Sequence, residues 1–81
     1  MNTETKILRY AESLGITDDL DIVILNGQIV GYSTYKADKG LDAFYAMRDA
    51  YANLNATVNI EIWHVMYRHL NEQYEDIWKV E

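Results

Sequence analysis

The sequence predicts an α+β domain in which an N-terminal helix, a β-hairpin, an amphipathic helix and a C-terminal β-hairpin follow one another. We expect an antiparallel sheet with both helices on one face. Three observations predict this order: two segments have apolar residues at helical spacing, an Asn-Gly pair separates two β-branched runs, and the last segment alternates apolar and polar residues. The 81 residues suffice for one small domain, so residues 1–81 are expected to form a single globular unit.

The first helix is predicted from about Thr3 to Leu14. Its apolar residues share one face at helical spacing: Ile7, Leu8, Ala11 and Leu14. Either Asn2 or Thr3 can cap the N-terminus with a side-chain oxygen, and Gly15 suits the left-handed residue that ends many helices. These signals place both ends of the helix.

The first hairpin is predicted around Asn26-Gly27, which lies between the apolar runs 20–25 and 28–35. Both central residues of a type I′ turn need positive φ, and Asn-Gly is among the pairs that meet this need best. A two-residue turn therefore joins two antiparallel strands.

That turn gives an expected register in which Val23 faces Val30 and Asp21 faces Tyr32. One face of the hairpin then carries three isoleucines, Ile22, Ile24 and Ile29. The other face carries Val23, Val30 and Tyr32, so both faces are partly apolar. Gly31 within the second strand can mark a bulge.

A second helix is predicted from Asp38 to about Leu54, with Asp38 as its cap. Its apolar positions follow the helical period and form a wide stripe: Leu41, Phe44, Met47, Tyr51 and Leu54. The helix is therefore amphipathic, with one face suited to packing on the sheet.

The last 25 residues fit two structures. Alternation over residues 57–66 and the β-branched residues at its start favour a strand, which a turn near Asn71 to Gln73 would connect to a strand returning through Tyr74 to Val80. The alternative is a helix, because six apolar residues are also spaced three or four apart: Ile60, Trp63, Tyr67, Leu70, Tyr74 and Ile77. We favour the hairpin.

The charge balance disfavours direct binding to nucleic acid. Seven basic residues face thirteen acidic ones, the net charge is −6, and the basic residues are scattered along the chain. A nucleic-acid-binding protein needs lysine and arginine against the phosphates. An acidic surface instead favours a protein partner with a basic surface, such as a protein that itself binds nucleic acid.

The chain contains no cysteine, so it has no disulfide, thiolate nucleophile or cysteine-ligated zinc, and a reducing compartment is expected. The first residues lack the pattern of a signal peptide, and no apolar run approaches the length of a membrane span. We expect a cytoplasmic protein that does not contact membranes.

No group of residues suggests catalysis or cofactor binding. His64 and His69 fall on opposite faces of a strand, so they cannot converge on a metal ion and are expected as surface or interface residues. The serines Ser13 and Ser33 do not lie in a nucleophile elbow, and the four glycines are too dispersed to bind phosphate. We expect no metal, no cofactor and no enzymatic activity.

Aromatic residues are the strongest indication of function. Seven tyrosines and two tryptophans are more rings than so small an interior can hold, and exposed rings anchor many protein interfaces. The candidate partner-binding rings are Tyr32, Tyr35, Trp63, Tyr67 and Trp78. Two acidic clusters complete the candidate site: Asp18, Asp19 and Asp21 in the first, and Glu72, Glu75 and Asp76 in the second.

The chain resembles the small phage-encoded inhibitors of host defence, of the anti-CRISPR and anti-restriction types. The resemblance lies in its size, acidity, lack of cysteine, aromatic content, and a hairpin (Ile22 to Thr34) followed by one amphipathic helix (Asp38 to Leu54). It implies a stoichiometric inhibitor that occludes a surface of a host complex, with acidic groups that could mimic DNA. The resemblance assigns no residue a role.

These observations predict a non-enzymatic, acidic protein-binding module that occludes the basic surface of a larger protein. The alternative is a structural or accessory protein that acts as a homodimer, with the hairpin face that carries Val23 and Val30, or the final segment, as its interface.

Overall fold

A computed structural model describes residues 2–34, 45–46, 48–50, 53 and 59–80. Its elements are one helix and four strands: α1 (Thr3–Leu14), β1 (Leu20–Leu25), β2 (Gln28–Thr34), β3 (Ile60–Arg68) and β4 (Gln73–Lys79). All strand pairs are antiparallel and the strands lie in the order β2-β1-β3-β4. The α+β class, the N-terminal helix and both hairpins are confirmed, and the helical alternative for the last segment is wrong.

The predicted helix over residues 38–54 lies largely outside the described residues. Residues 45–46, 48–50 and 53 have α-helical backbone. The amphipathic helix as a whole and its place beside the sheet stay a prediction. Within the described part of the chain, no helix has the length and apolar character needed to cross a membrane.

α1 begins and ends where the sequence predicts. The Asn2 side chain accepts a hydrogen bond from the Thr5 amide at 2.8 Å, so Asn2 rather than Thr3 is the N-cap. Gly15 adopts a left-handed φ of 69°, and its amide donates to the Glu12 carbonyl at 3.3 Å. This geometry ends the helix, because a side chain would disfavour that φ.

The turn between β1 and β2 has the predicted form. Asn26 and Gly27 have φ values of 48° and 84°, as a type I′ turn requires. The Asn26 side chain accepts a hydrogen bond from the Asn59 amide at 2.9 Å, and the Asn26 amide donates to the Asn59 carbonyl at 2.8 Å. The turn is thereby joined to the residue that precedes β3.

A bulge in β2 changes the predicted register. Val23 pairs with Gly31 rather than with Val30, so Val30 is the extra residue. The prediction that Tyr32 shares a face with Val23 is therefore wrong. Tyr32 lies on the same side of the sheet as α1, where its ring meets the Tyr10 ring edge-on with the centroids 6.3 Å apart. The bulge expected in β2 is present, with Val30, the residue before Gly31, as the extra residue.

A second bulge interrupts the β3–β4 pair. Val65 pairs with Ile77 but Met66 pairs with Glu75, which leaves Asp76 as the extra residue. Asp76 has a φ of 49°. Both outer strands of the sheet, β2 and β4, thus contain one residue without a partner in the ladder.

The main core lies between α1 and the sheet. Ile7 and Ala11 of α1 are fully buried there. They form one cluster with residues of three strands: Leu20, Ile22, Ile24, Val65 and Tyr74. Burying such side chains contributes roughly 1.5–3 kcal/mol each, so this cluster is the main source of stability among the described elements.

The opposite face of the sheet is also buried at its centre. Val23 and Ile62 pair across β1 and β3, and both have no exposed surface. They alternate with the residues that face α1, so they project to the other side. Val23 is therefore not available as the homodimer interface that the sequence suggested, whereas Val30 is 51% exposed.

Candidate functional site

A row of four residues crosses the sheet on the face opposite α1. Asp21 pairs with Ser33 on one side and with His64 on the other, and His64 pairs with Trp78. Residues directly opposite one another project to the same face. The predicted pairing of Asp21 with Tyr32 is wrong, because the bulge in β2 shifts every pair beyond it by one residue.

His64 lies between two carboxylates and an indole ring. Its Nδ1 is 2.9 Å from Asp21 Oδ1, and its Nε2 is 3.8 Å from Asp19 Oδ2. The Trp78 ring lies beside it, with the ring centroids 4.8 Å apart. His64 was expected at the surface and Asp21 in solvent, but the His64 side chain is 14% exposed and Asp21 is 7% exposed. Pairing of β1 with β3 thus buries these two residues together, so His64 is not a freely exposed surface residue.

The row does not have the geometry of an activated serine. A serine nucleophile needs the histidine as its direct hydrogen-bond partner. Ser33 lies opposite Asp21, and its buried Oγ has no hydrogen-bond partner, while Ser13 Oγ donates to the Tyr10 carbonyl at 2.6 Å. Among the described residues, no three histidine or carboxylate side chains are placed to hold a metal ion.

The first acidic cluster is largely occupied by contacts within the protein. Asp19 Oδ1 accepts a hydrogen bond from the Tyr67 amide at 2.8 Å, and Asp21 is paired with His64. Asp18 is partly buried, and its Oδ1 accepts a hydrogen bond from the Asp19 amide at 3.0 Å. Asp19 and Asp21 thereby connect the start of β1 to β3, so these two carboxylates already have partners within the protein.

The three carboxylates of the second acidic cluster differ in their contacts within the protein. Glu75 Oε1 accepts hydrogen bonds from Gln73 Nε2 at 2.6 Å and Asn71 Nδ2 at 2.9 Å. Hydrogen bonds from Gln73 and then Asn71 lower the pKa of Glu75 below its usual value. Asp76 forms an ion pair with Arg68. Glu72, in contrast, is exposed and has no such partner among the described residues.

Glu72 lines a groove between the end of α1 and the β3–β4 turn, which we call the acidic groove. Its volume is about 370 Å³. Two carboxylates, Glu12 and Glu72, lie along it, and neither has an ion-pair or hydrogen-bond partner among the described side chains. Its apolar lining comes from Ile16, Tyr67 and Tyr74.

The two tyrosines of the acidic groove, Tyr67 and Tyr74, pack against each other. Their rings meet edge-on with centroids 5.1 Å apart, a favourable arrangement for aromatic pairs. The Tyr74 hydroxyl donates a hydrogen bond to the Ile16 carbonyl. Burial raises the pKa of Tyr74 above its usual value, so its phenol stays protonated in neutral solution. The groove therefore combines an aromatic surface with two carboxylates that have no ion pair among the described residues.

The predicted partner-binding rings do not form one surface. Tyr32 and Trp78 are 39% and 46% exposed, but they lie on opposite faces of the sheet. Trp63 is partly buried, and its Nε1 is buried without a hydrogen-bond partner. Tyr35 lies outside the described residues. Of the five predicted rings, Tyr67 is the one that lines the acidic groove.

Sequence reasoning missed two residues of this groove. In the sequence, Glu12 has the pattern of an ordinary exposed helix residue. No local pattern connects it to Glu72, which lies 60 positions later. Tyr74 was assigned to a strand without a role. Only the contact of α1 with β4 brings them together.

Comparison of the chain with protein-family models, with curated proteins and with solved structures finds no match. The description of the site therefore depends on its geometry alone.

Proposed function

We propose that this chain is a non-enzymatic binding module whose acidic groove accepts a lysine or arginine side chain from the basic surface of a larger protein. By occupying that surface, the module keeps nucleic acid away from it. The observation that carries the proposal is the position of Glu12 and Glu72 beside the rings of Tyr67 and Tyr74. Neither carboxylate has a side-chain partner in the part of the chain that the structure describes.

The chemistry of the groove suits a cationic side chain. A guanidinium or ammonium group gains from an aromatic surface within about 6 Å of the ring centroid. It also forms charge-assisted hydrogen bonds with carboxylates, which are roughly twice as strong as neutral ones. The long aliphatic part of lysine or arginine can lie along Ile16.

The remaining charge of the molecule supports the same partner. A net charge of −6 attracts a basic surface over distance and raises the association rate. Surfaces that bind phosphate groups are rich in lysine and arginine, so a nucleic-acid-binding protein offers the complementary charge. This is the mode of action that the resemblance to phage anti-defence inhibitors implies.

A peptide titration tests the groove. The probe is a short peptide with one arginine between leucines, and its control replaces arginine by citrulline, which has nearly the same shape but no charge. Amide resonances of Thr17, Glu72 and Gln73 should shift on binding of the arginine peptide. We expect roughly tenfold weaker binding of the citrulline peptide, because the charge-assisted hydrogen bonds are lost.

Charge-removing variants provide the matched control. Glu12→Gln combined with Glu72→Gln should weaken binding of the arginine peptide by roughly tenfold or more. Glu4→Gln removes one negative charge from an exposed residue outside the groove and should leave the affinity nearly unchanged. Equal losses in both variants would show a general charge effect and would contradict the groove.

A second experiment tests occlusion. Protein captured from a lysate by the wild-type chain should be lost with the double glutamine variant and retained with Glu4→Gln. The captured protein should then release a labelled nucleic acid when the wild-type chain is added in a one-to-one ratio. Retention of the nucleic acid at saturating module would exclude occlusion even if the groove binds arginine.

A further inference from the structure

A second groove lies at the other end of α1, beside the β1–β2 turn, and has the opposite charge. We call it the basic groove. Its volume is about 430 Å³, within the range of roughly 300–1,000 Å³ that is typical of small-molecule sites. Lys6 and Arg9 line it together with the apolar side chains of Tyr10, Ile24 and Ile29.

We propose that the basic groove binds a small organic carboxylate with an apolar body, such as an aliphatic acid. Lys6 and Arg9 would hold the carboxylate, and the apolar body would lie on Tyr10 and Ile29. This inference goes beyond the proposed function and does not depend on it, because the two grooves share no lining residue.

The positive charge of the basic groove favours an anionic ligand. The other described cationic residues, three in number, are each paired with a carboxylate: Arg48 with Asp49, Arg68 with Asp76, and Lys79 with Glu61. Within residues 2–34, 45–46, 48–50, 53 and 59–80, Lys6 and Arg9 are the basic side chains without one. In a chain with thirteen acidic and seven basic residues, two unpaired cations in one groove are a specific feature.

The arrangement of the two cations suits a planar anionic group. Residues three apart on a helix are neighbours on its surface, so Lys6 and Arg9 can contact a single anionic group. The guanidinium of arginine matches the planar shape of a carboxylate and can bind both of its oxygens. The pair can therefore hold a carboxylate through both of its oxygens, with Lys6 adding a further charge-assisted contact.

The apolar lining of the groove favours an anion with an apolar body. Ile24 is almost fully buried, so the accessible apolar surface comes mainly from Ile29 and Tyr10, which are partly buried against the same cluster. A free inorganic anion would leave this surface in contact with water, whereas an alkyl chain would cover it and gain from burial. The lining thus distinguishes an amphiphilic acid from inorganic phosphate.

The test is an NMR titration of the wild-type chain with four probes: hexanoate, hexanol, acetate and inorganic phosphate. Hexanoate should shift the amide resonances of Gly27 and Gln28 and should bind at least fivefold more tightly than the other three. Hexanol lacks the charge, acetate lacks the apolar body, and phosphate lacks both the planar group and the body. Acetate or phosphate binding as tightly as hexanoate would overturn the proposal.

Variants assign the binding to the two cations. Lys6→Gln combined with Arg9→Gln should weaken hexanoate binding by roughly tenfold, as expected when charge-assisted hydrogen bonds are lost. Lys79→Gln removes a cation that is paired with Glu61 elsewhere and should have little effect. Unchanged affinity in the double variant would overturn the proposal, and the wild-type probe series decides it independently if that variant does not fold.

Discussion

Asp21 and His64 form a hydrogen bond across β1 and β3, with Asp21 Oδ1 2.9 Å from His64 Nδ1, although 43 positions separate them in the sequence. The pair lies on a face whose neighbouring residues Val23 and Ile62 are fully buried. A slip of β3 by one residue would move His64 to the α1 side and leave Asp21 buried without its partner. The pair therefore specifies the register of the two central strands.

A double-mutant cycle measures this coupling. His64→Leu should lower the free energy of unfolding by about 1–3 kcal/mol, because it leaves the buried Asp21 carboxylate without its partner. Asp21→Leu should have a similar effect. The double variant should cost less than the sum of the two, because neither polar group then remains unpaired. Urea unfolding gives the three values, and strict additivity would show that the two side chains do not interact energetically.

The contribution of the Asn26 side chain to stability can be tested in the same way. Asn26 lies in the β1–β2 turn, and its side chain also bonds the residue that precedes β3. Asn26→Gly retains easy access to positive φ but removes the acceptor for the Asn59 amide. Asn26→Asp keeps an acceptor at the same place. We expect the glycine variant to lose about 0.5–1.5 kcal/mol of stability and the aspartate variant to lose less. Chemical denaturation of the two variants makes the comparison, and the opposite ranking would show that the side-chain bond contributes nothing.

The stability of the β3–β4 turn should decrease in acid, because the carboxylate of Glu75 is then protonated. Gln73 and Asn71 lower the pKa of this carboxyl in the folded state. A lowered pKa means that the stabilising contribution is present above the unfolded-state pKa and is lost as the pH falls through the folded-state value. Asn71→Ala should therefore raise the pKa of Glu75, as followed by NMR of its carboxyl carbon between pH 2 and 6. An unchanged titration midpoint would mean that Asn71 does not donate in solution.

The phenol of Tyr74 should make the stability of the protein depend on pH in the alkaline range. Burial raises the pKa of its phenol above 10.0 in the folded state, so its contribution to stability is complete below the unfolded-state pKa and is lost as the pH rises through the folded-state value. Tyr74→Phe should cost about 1 kcal/mol at neutral pH, because the Ile16 carbonyl loses its donor. That difference in unfolding free energy should shrink above about pH 10. A constant difference across the alkaline range would contradict this account.

The helix ends and the first turn were predicted well from short stretches of sequence, because the interactions that determine them act between neighbouring residues. The cap at Asn2, the left-handed Gly15 and the Asn26-Gly27 turn each depend on a few adjacent residues, and each is found as expected. The last segment was ambiguous because its apolar residues fit both the helical and the strand period. Pairing of β3 with β1 determines the outcome, and that contact cannot be read from a single segment.

The candidate site was predicted less well, because its residues come from parts of the sequence that are far apart. Tyr67 and Glu72 were selected as partner-binding residues and lie in the acidic groove. Asp21 was also selected for partner binding, yet it is buried against His64, which comes from a distant strand. The bulge in β2 moved Tyr32 to the other face, and only its exact position, one residue before Gly31, determines that outcome. A sequence indicates that a strand contains a bulge more readily than it indicates the residue at which the bulge lies.

The extra residues Val30 and Asp76 have a consequence for how the molecule can associate. An incoming strand needs a straight, regular row of free amide and carbonyl groups on the rim of a sheet. Here each rim is distorted at one point, which disfavours backbone addition and growth into fibres. A partner of this chain is thus expected to recognise side chains and to leave the ladder of four strands as it is.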